Sequence, residues 1–217
     1  MLNSGSKELR YATLTSLLFF MYTHSDITPI INAISESYSP LSEPCKTDIQ
    51  NKSKILILEK PVVIVKEGQY ADKAYFLIKG GARAFYLKDG KDISDWFAFE
   101  GDFICSINSF FLNIPSPHAI ETLESAVLLE LSREHIQSLS DQYHDFEKLL
   151  NKVVVKTLLQ LQQRVASIQF ETAHQKFENL LKITPDITQR VPLTHIASYL
   201  GITLETLSRI RNPKNRI

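Results

Sequence analysis

Hydrophobic and polar positions follow two different periods along this 217-residue chain. Between about residues 55 and 131, short β-type runs alternate with turn residues, and this pattern predicts a barrel or sandwich of six or seven strands. One connection, Asp89-Gly90, is typical of a hairpin turn, because glycine adopts the positive φ that primed turns require. The predicted strands are Ile55–Leu58, Val62–Val65, Tyr75–Ile78, Ala82–Leu87, Asp95–Phe99, Ala119–Thr122 and Val127–Leu131.

From Ser132 onward the apolar spacing becomes helical, with no proline before Pro185 and no glycine before Gly201. An apolar stripe predicts a helix of roughly 25 residues, which is longer than a small barrel needs for cover. The stripe is either core or a dimer seam, and its length favours the seam, because a protruding helix would leave it exposed. Its positions are Phe146, Leu149, Leu150, Val153, Leu158, Leu161, Val165 and Ile168. The predicted dimer contacts are Phe146, Leu150, Val153, Leu158, Leu161 and Val165.

The N-terminal part of the chain gives less specific patterns. A helix is predicted around Asp26–Ser37, and a serine- and proline-rich turn follows over residues 39–44. The apolar run Leu14–Tyr22 is too short for a membrane span of about 20 residues. An amphipathic leader helix, a secretory signal segment or a start codon set too early all remain open for this run. A further helix is predicted at about Thr172–Ile183.

The last block of the chain has the spacing of a helix-turn-helix. Ala197 allows two helices to cross closely, Gly201 can turn the chain, and the Thr203 hydroxyl can cap the second helix. The positions that must be apolar to hold the helices together are Ile196, Leu200, Ile202, Leu207 and Ile210. The alternative is a plain αα-hairpin inside a core.

Charge is distributed unevenly, although the chain has 24 basic and 24 acidic residues and therefore no overall basic coat. From Arg190 to the end there are five basic residues and one acid, Glu205, a footprint expected of a phosphate-facing surface. Glu205, Ser208 and Arg209 share one helix face, and a glutamate with an arginine can recognise a G·C step. The same spacing also permits a simple Glu205–Arg209 ion pair. The predicted DNA contacts are Thr203, Glu205, Thr206, Ser208, Arg209, Arg211 and Lys214.

Four segments carry a resemblance to a known family. They are Val65-Lys66-Glu67-Gly68, the run 75–83 (YFLIKGGAR), Phe99-Glu100-Gly101-Asp102-Phe103 and the run 204–209 (LETLSR). From about Ser39 to Arg211 the chain resembles the Crp/Fnr family of bacterial transcription regulators. The family's recognition-helix Glu, Ser and Arg correspond to Glu205, Ser208 and Arg209, whereas Leu204 stands where some members have another arginine.

The resemblance implies an α+β fold with an N-terminal double-stranded β-helix, or jelly roll, that holds an effector. A long dimerisation helix and a C-terminal helix-turn-helix domain follow. The expected boundaries are a leader at 1–38, the roll at 39–140, the long helix at 141–168 and the DNA-binding domain at 169–217. The implied partners are a second copy of the chain and a palindromic site on double-stranded DNA, with RNA polymerase as a further candidate.

The expected effector site departs from the pattern of the cyclic-AMP-binding members. Gly101-Asp102 stands where cyclic-AMP-binding members hold the ribose with Gly-Glu, but Pro115-Ser116-Pro117-His118 stands where they hold the phosphate with an arginine. No arginine occurs between Lys91 and Leu131, so we expect no cyclic nucleotide and predict no cofactor. Two interpretations of the roll's interior remain open: it holds an apolar ligand, or its own side chains fill it. The candidate pocket residues are Phe99, Gly101, Asp102, Phe103, Ser116 and His118.

Other function classes find little support. The six histidines are scattered without the i, i+2 pair of a cupin-like metal site, so an enzyme is not expected. Two cysteines, Cys45 and Cys105, exclude a disulfide framework and an iron–sulfur cluster, and a reduced cytoplasm is expected with no membrane partner. The main alternative is a dimeric small-molecule-binding module without DNA regulation. It gains weight because Pro213 ends the last helix, and the family's wing is expected to be absent or reduced.

We also expect His118 to be a surface or hydrogen-bonded histidine and Cys105 to be an inert buried thiol.

Overall fold

The computed structural model describes residues 27–211. The apolar run Leu14–Tyr22 and the predicted DNA contact Lys214 lie outside the described residues. The helices are α1 (Thr28–Ser37), α2 (Glu43–Lys52), α3 (Ile107–Leu112), α4 (Arg133–Gln142), α5 (His144–Phe170), α6 (Ala173–Ile183), α7 (Ile187–Arg190), α8 (Leu193–Leu200) and α9 (Leu204–Arg211). The strands are β1 (Lys54–Leu58), β2 (Val63–Val65), β3 (Lys73–Lys79), β4 (Ala82–Lys88), β5 (Lys91–Ala98), β6 (Phe103–Cys105), β7 (Ala119–Thr122) and β8 (Ala126–Ser132).

The strands form a roll of two antiparallel four-stranded sheets, in the orders β1-β8-β3-β6 and β2-β7-β4-β5. All seven predicted strands are present, which confirms the β-rich first region. The eighth strand, β6, was missed because only three residues pair with β3 after the Gly101 turn.

Strands β3 and β8 are apolar at nearly every position because both of their faces are buried. On β3, Tyr75 and Leu77 point between the sheets, whereas Phe76 and Ile78 point to the opposite side. That outer face packs against helices α1, α2, α4 and α5 in a second apolar cluster. The helical layer thus closes one side of the roll and brings the start of α5 against it.

Two features of this helical layer differ from the prediction. Helix α2 begins at Glu43 with Pro44 in its first turn, a position where proline favours a helix start, so the predicted turn ends earlier. Helix α1 buries Ile30, Ile31 and Ile34 in the layer, so it belongs to the roll and not to a separate leader ending at residue 38.

The helices after the roll have two boundaries, at Tyr143 and at Thr172, and only the second has a recognisable sequence signal. Helices α4 and α5 separate at Tyr143, whose backbone is extended although neither glycine nor proline is present. Helix α6 begins with a capping box, in which the Thr172 hydroxyl accepts from the Gln175 N–H and the Gln175 side chain accepts from the Thr172 N–H. Between residues 27 and 211 no helix is long and apolar enough to cross a membrane.

Helices α6 to α9 surround a third apolar cluster, centred on Ile187, Ile196 and Leu207. Phe97, at the end of β5, and Leu123 pack against the same cluster. The outer face of the second sheet therefore carries the C-terminal helices, just as the first sheet carries α1, α2 and α4.

Candidate nucleic-acid interface and effector site

Helices α8 and α9 are joined by a tight turn at Gly201. Gly201 has a φ of +65°, a left-handed conformation in which a side chain would be strained. The Ile202 N–H donates to the Ala197 carbonyl at 3.0 Å, and the Gly201 N–H donates to the Ser198 carbonyl at 3.1 Å. These bonds satisfy the last carbonyls of α8 and send the chain directly into α9.

The two helices are held together by the positions that the sequence singled out. Ala197 and Leu207 are buried where α8 and α9 meet, and Ile196 is fully buried beside them. Leu200 is buried in the same cluster, while Ile202 and Ile210 are partly buried against it. The pair therefore shares one apolar interface and leaves the opposite face of α9 to solvent.

The N-terminus of α9 carries the predicted cap. The Thr203 hydroxyl accepts from the Thr206 N–H at 3.2 Å and lies 3.1 Å from the Thr206 hydroxyl. Hydrogen bonds from its own backbone N–H and from the Thr203 hydroxyl hold the pKa of the exposed Glu205 carboxyl below its ordinary value. Glu205 is therefore ionised at neutral pH and held at the start of the helix.

The outer face of α9 brings most of the predicted DNA contacts together. Glu205, Ser208, Arg209 and Arg211 are exposed, and Thr206 is half-buried. The ionised groups on this face are a carboxylate at the first turn and two guanidinium groups at the last turn. Such a surface offers acceptor and donor groups to a base edge and positive charge to a phosphate.

A half-buried arginine connects the C-terminal helices to the roll. The Arg190 guanidinium donates to Glu100 at 2.8 and 2.9 Å and to Glu124 at 2.6 and 2.9 Å, and it lies 4.7 Å from the centre of the Phe99 ring. Although burial lowers the pKa of Arg190, the bonds to both carboxylates raise it above its usual value. This cluster was not predicted, because its members are 66 and 90 positions apart.

Polar contacts also fix α8 to strand β5. The Ser198 hydroxyl accepts from the Ser94 N–H at 2.9 Å and donates to the Asp92 carbonyl at 3.1 Å. The Arg164 guanidinium of α5 lies 4.1 Å from the centre of the Tyr199 ring. Helix α8 therefore contacts both the roll and the long helix, and these contacts set the direction in which α9 points.

Next to Ser198 lies a charged group that the sequence did not reveal. Arg83, with a side chain 3% exposed, pairs with Asp92 at 2.5 Å and with Glu121 at 2.7 Å. Hydrogen bonding from Arg83 holds the pKa of Asp92 below its usual value. Burial, with the Arg83 charge, lowers the pKa of His195 on α8, so this imidazole is neutral at pH 7.

The predicted effector residues are not all brought together. Gly101, Asp102 and Phe103 lie where the roll meets α1 and α5, since Tyr38 donates to the Gly101 carbonyl at 2.8 Å and packs on Phe103. Phe99 was predicted in this pocket, but it lies in the cluster of the C-terminal helices against Arg190. That assignment is corrected: Trp96 and Ala98 point between the sheets, so Phe97 and Phe99 point outward.

Ser116 and His118 lie at a different part of the roll. The Ser116 hydroxyl contacts the Ser106 hydroxyl at 2.7 Å and donates to the His118 carbonyl at 2.6 Å. His118 is only 5% exposed, and neither of its ring nitrogens has a hydrogen-bond partner within residues 27–211. The expectation of a surface or hydrogen-bonded histidine is therefore wrong, and burial lowers the pKa of His118.

The two cysteines have inert environments. Burial, with the charges of Asp145 and Asp48, raises the pKa of Cys45 to about 12, and burial raises the pKa of Cys105 to about 12. Neither thiol therefore forms a thiolate near neutral pH. Within the described part of the chain no group of His, Cys, Asp and Glu side chains could hold a metal ion.

The apolar stripe of α5 divides between two environments. Phe146 and Leu149 are buried in the chain's own core, with Leu150 and Val153 packed against them. Phe146 is therefore corrected from a dimer contact to a core residue, and Leu150 and Val153 are mainly core. Farther along, a row spaced by 4, 3, 4 and 3 positions is exposed or half-exposed: Val154, Leu158, Leu161, Val165 and Ile168. Sequence periodicity missed Val154, because only burial separates it from the neighbouring Val153.

Comparison with known proteins agrees with this architecture. The family model of the cyclic nucleotide-binding domain matches residues 56–143, which span the roll and α4. None of the curated proteins matches the chain.

Solved structures cover both the roll and the helices. FixK2 from Bradyrhizobium japonicum matches with a TM-score of 0.62 and 18% identity over 74% of this chain and 83% of that one. A regulator described as a member of the crp/fnr family, from Eubacterium rectale, gives 0.61 and 17% over 78% and 82%. The c-di-GMP responsive global regulator CLP from Xanthomonas campestris gives 0.60 and 16% over 80% and 91%. The resemblance drawn from the sequence is thus confirmed for the fold.

Proposed function

We propose that this chain, which carries a cyclic nucleotide-binding domain in the fold of the Crp/Fnr regulators, is a sequence-specific DNA-binding transcription regulator. Residues 39–140 would form the effector-type roll, 141–168 the dimerisation helix and 169–217 the DNA-binding domain. Helices α8 and α9 would be its helix-turn-helix, with α9 entering the major groove.

The exposed face of α9 is the observation that carries this proposal. Glu205, Ser208 and Arg209 reach solvent together on a helix that is capped by Thr203 and fixed by Gly201. An arginine can donate twice to guanine, and a glutamate can accept from cytosine, so this face supports recognition of a G·C step. Thr203, Thr206, Arg211 and Lys214 would add contacts to the phosphates.

The exposed part of α5 supports the proposal of a homodimer. The 4, 3, 4, 3 spacing of Val154, Leu158, Leu161, Val165 and Ile168 is typical of the seam of a two-stranded coiled coil. In a two-fold dimer the recognition helices would lie about 34 Å apart and would bind a palindromic site.

The seam can be tested without disturbing the fold of the monomer. Leu158 is 63% exposed, so Leu158→Glu should convert the dimer to a monomer in sedimentation equilibrium. Leu87→Glu is the matched control, because Leu87 is 60% exposed on a strand of the roll. A Leu158→Glu variant that remains dimeric would show that this row of α5 does not form the dimer interface.

Selection of random DNA duplexes by the purified protein tests the central proposal. A palindromic motif should be enriched, and Arg209→Ala should weaken binding to it by about 1–3 kcal/mol with loss of preference at one base pair. Lys182→Ala serves as the control, because it removes an exposed positive charge that lies on α6 and not on α9. An unchanged base preference in Arg209→Ala would show that the recognition face is misassigned.

The match to a cyclic nucleotide-binding domain favours one alternative, a dimeric small-molecule-binding module without a DNA role. Enrichment of no motif, with or without added cyclic nucleotide, would support this alternative. The missing arginine between Lys91 and Leu131 argues against a cyclic nucleotide as the ligand, because its phosphate would lack a guanidinium partner.

A further inference from the structure

The long helix α5 contacts the Gly101–Asp102 turn through Lys156. The Lys156 ammonium donates to the Asp102 carboxylate at 2.8 Å and to the Tyr38 hydroxyl at 3.2 Å, and it lies 5.0 Å from the centre of the Tyr38 ring. The Tyr38 hydroxyl in turn donates to the Gly101 carbonyl. Side chains from α5, from the residue after α1 and from the roll therefore meet at one point.

The turn itself is held firmly by strand β3. Gly101 has a φ of +86°, its N–H donates to the Leu77 carbonyl at 2.9 Å, and the Leu77 N–H donates to the Asp102 carbonyl at 2.9 Å. The second carboxylate oxygen of Asp102 accepts from the Phe99 N–H at 3.3 Å. Both oxygens of Asp102 thus already have partners from this chain.

Little space is left on the side of this contact that faces the roll. The niche between the roll and α5, lined by Tyr38, Trp96, Phe103, Val153 and Lys156 among others, encloses about 10 Å³. That is no more than one water molecule needs, whereas small-molecule sites enclose roughly 300–1,000 Å³. The chain's own aromatic and aliphatic side chains fill the place where α5 meets the roll.

We propose that Lys156 acts as a built-in substitute for an effector, joining α5 to the Gly101–Asp102 turn so that DNA binding needs no small molecule. The inference rests on the proposed DNA-binding function and concerns its regulation. The lysine lies two residues before Leu158, so the contact positions the exposed seam and, through the rest of α5, the C-terminal helices.

The strength of the Lys156–Asp102 ion pair depends on how far its two side chains are exposed to solvent. The Lys156 side chain is 43% exposed and that of Asp102 is 31% exposed, so the ion pair is screened and moderate in strength. Although burial lowers the pKa of Lys156, Asp102 and Tyr38 raise it, so the ammonium stays charged across the physiological range. Loss of the contact should loosen α5 without unfolding the roll.

The test compares Lys156→Met with Lys152→Met, an exposed lysine one turn earlier on the same helix. Amide hydrogen exchange is measured on the full chain, and affinity for the selected duplex is measured with and without millimolar cyclic AMP or cyclic GMP. We expect Lys156→Met to exchange faster over residues 99–103 and 153–160 and to bind DNA about fivefold more weakly. Lys152→Met should match the wild type, whose affinity should not respond to either nucleotide.

Charge reversal adds a second arm. Lys156→Glu should behave like Lys156→Met, and adding Asp102→Lys to it should restore slow exchange over residues 153–160, although the Phe99 N–H loses its carboxylate acceptor. Unchanged hydrogen exchange in Lys156→Met would show that Lys156 does not hold α5 against the Gly101–Asp102 turn and would overturn the inference, whether or not the variant binds DNA. A wild type that binds DNA only with a nucleotide would overturn the inference but leave the proposed function standing, whereas a protein that binds no duplex under any condition would overturn the proposed function.

Discussion

The strands of residues 54–132 and the helices of residues 173–211 bury their apolar side chains in different ways. Strands β3 and β8 are covered on both faces, by the opposite sheet and by the helical layer. The C-terminal helices have one cluster, to which Phe97, Phe99 and Leu123 of the roll contribute. The roll therefore maintains its own core, whereas the C-terminal helices depend on the roll for part of theirs.

The two candidate sites differ in a related way. In the niche between the roll and α5 the chain's own side chains leave about 10 Å³, whereas on α9 the groups of Glu205, Ser208 and Arg209 are open to solvent. The surface that is available to a partner thus belongs to the region with the smaller core. The roll, with its own core, should therefore be more stable than the C-terminal helices. Three predictions test this difference in stability between the two regions.

The largest effect is expected at Leu207, which is fully buried between α8 and α9. Leu207→Ala should lower the free energy of unfolding of the C-terminal helices by about 2–5 kcal/mol, because it removes transfer energy and leaves a cavity. Hydrogen exchange should rise over residues 173–211 and stay unchanged in β3 and β8. Leu204→Ala, at a side chain 41% exposed on the same helix, is the control and should change stability by less than about 0.5 kcal/mol. Equal loss of protection in the roll would refute the difference in stability between the two regions.

A smaller effect is expected at Arg190, whose side chain is 18% exposed between two carboxylates. Arg190→Met should cost about 1.5–3 kcal/mol, because Glu100 and Glu124 lose their charged donor. Fluorescence of Trp96, the only tryptophan, follows the roll, and far-UV circular dichroism follows the helices. The two urea transitions should separate in the variant, with the helical one first.

Lys46→Met removes an i, i+3 ion pair with Glu43, whose side chain is 81% exposed, and is the control for Arg190→Met. It should cost less than about 0.5 kcal/mol. Transitions of Arg190→Met that coincide would show that Arg190 does not couple the two regions.

The smallest effect concerns acid stability of the roll. Burial lowers the pKa of His118 in the folded state, although the Asp95 charge opposes this, so the unfolded chain takes up the proton first. The stabilising contribution is present above the unfolded pKa of about 6.5 and is lost as the pH falls below it. The free energy of unfolding should therefore fall from pH 7 to pH 5, by at most about 1.4 kcal/mol per pH unit for one proton.

His118→Phe removes this titration and should flatten the pH profile, with little loss at pH 8 because neither ring nitrogen has a partner among the described residues. His144→Gln, at a side chain 75% exposed, is the control and should retain the wild-type slope. Since burial and Arg83 also lower the pKa of His195, a part of the slope should remain. An unchanged slope in His118→Phe would show that this histidine does not limit acid stability.

Local patterns predicted the strands, the Gly201 turn and the Thr203 cap, because each depends on neighbouring residues. The glutamate partners of Arg190 and Arg83 lie 38 to 90 positions away, and Asp102 lies 54 positions from Lys156. Local sequence patterns could not predict these pairs, because only folding brings them together. Helix α2 was missed because it buries only two residues, Cys45 and Ile49.

The position of Phe99 shows a different limit. In the run from Trp96 to Phe99 both faces are apolar, so alternation alone does not tell which face points between the sheets. The division of the α5 stripe at Val153 and Val154 has the same origin, because two adjacent valines face different surroundings.

Strand β5 has a further consequence for communication within the molecule. Trp96 lines the niche beside Lys156, and the next residue, Phe97, lies 4.9 Å from the Tyr199 ring of α8, measured between ring centres. One peptide unit therefore separates the environment of the long helix from that of the C-terminal helices. A rotation of this strand by a few degrees would change both environments at once, with no chain of intermediate residues to carry the change.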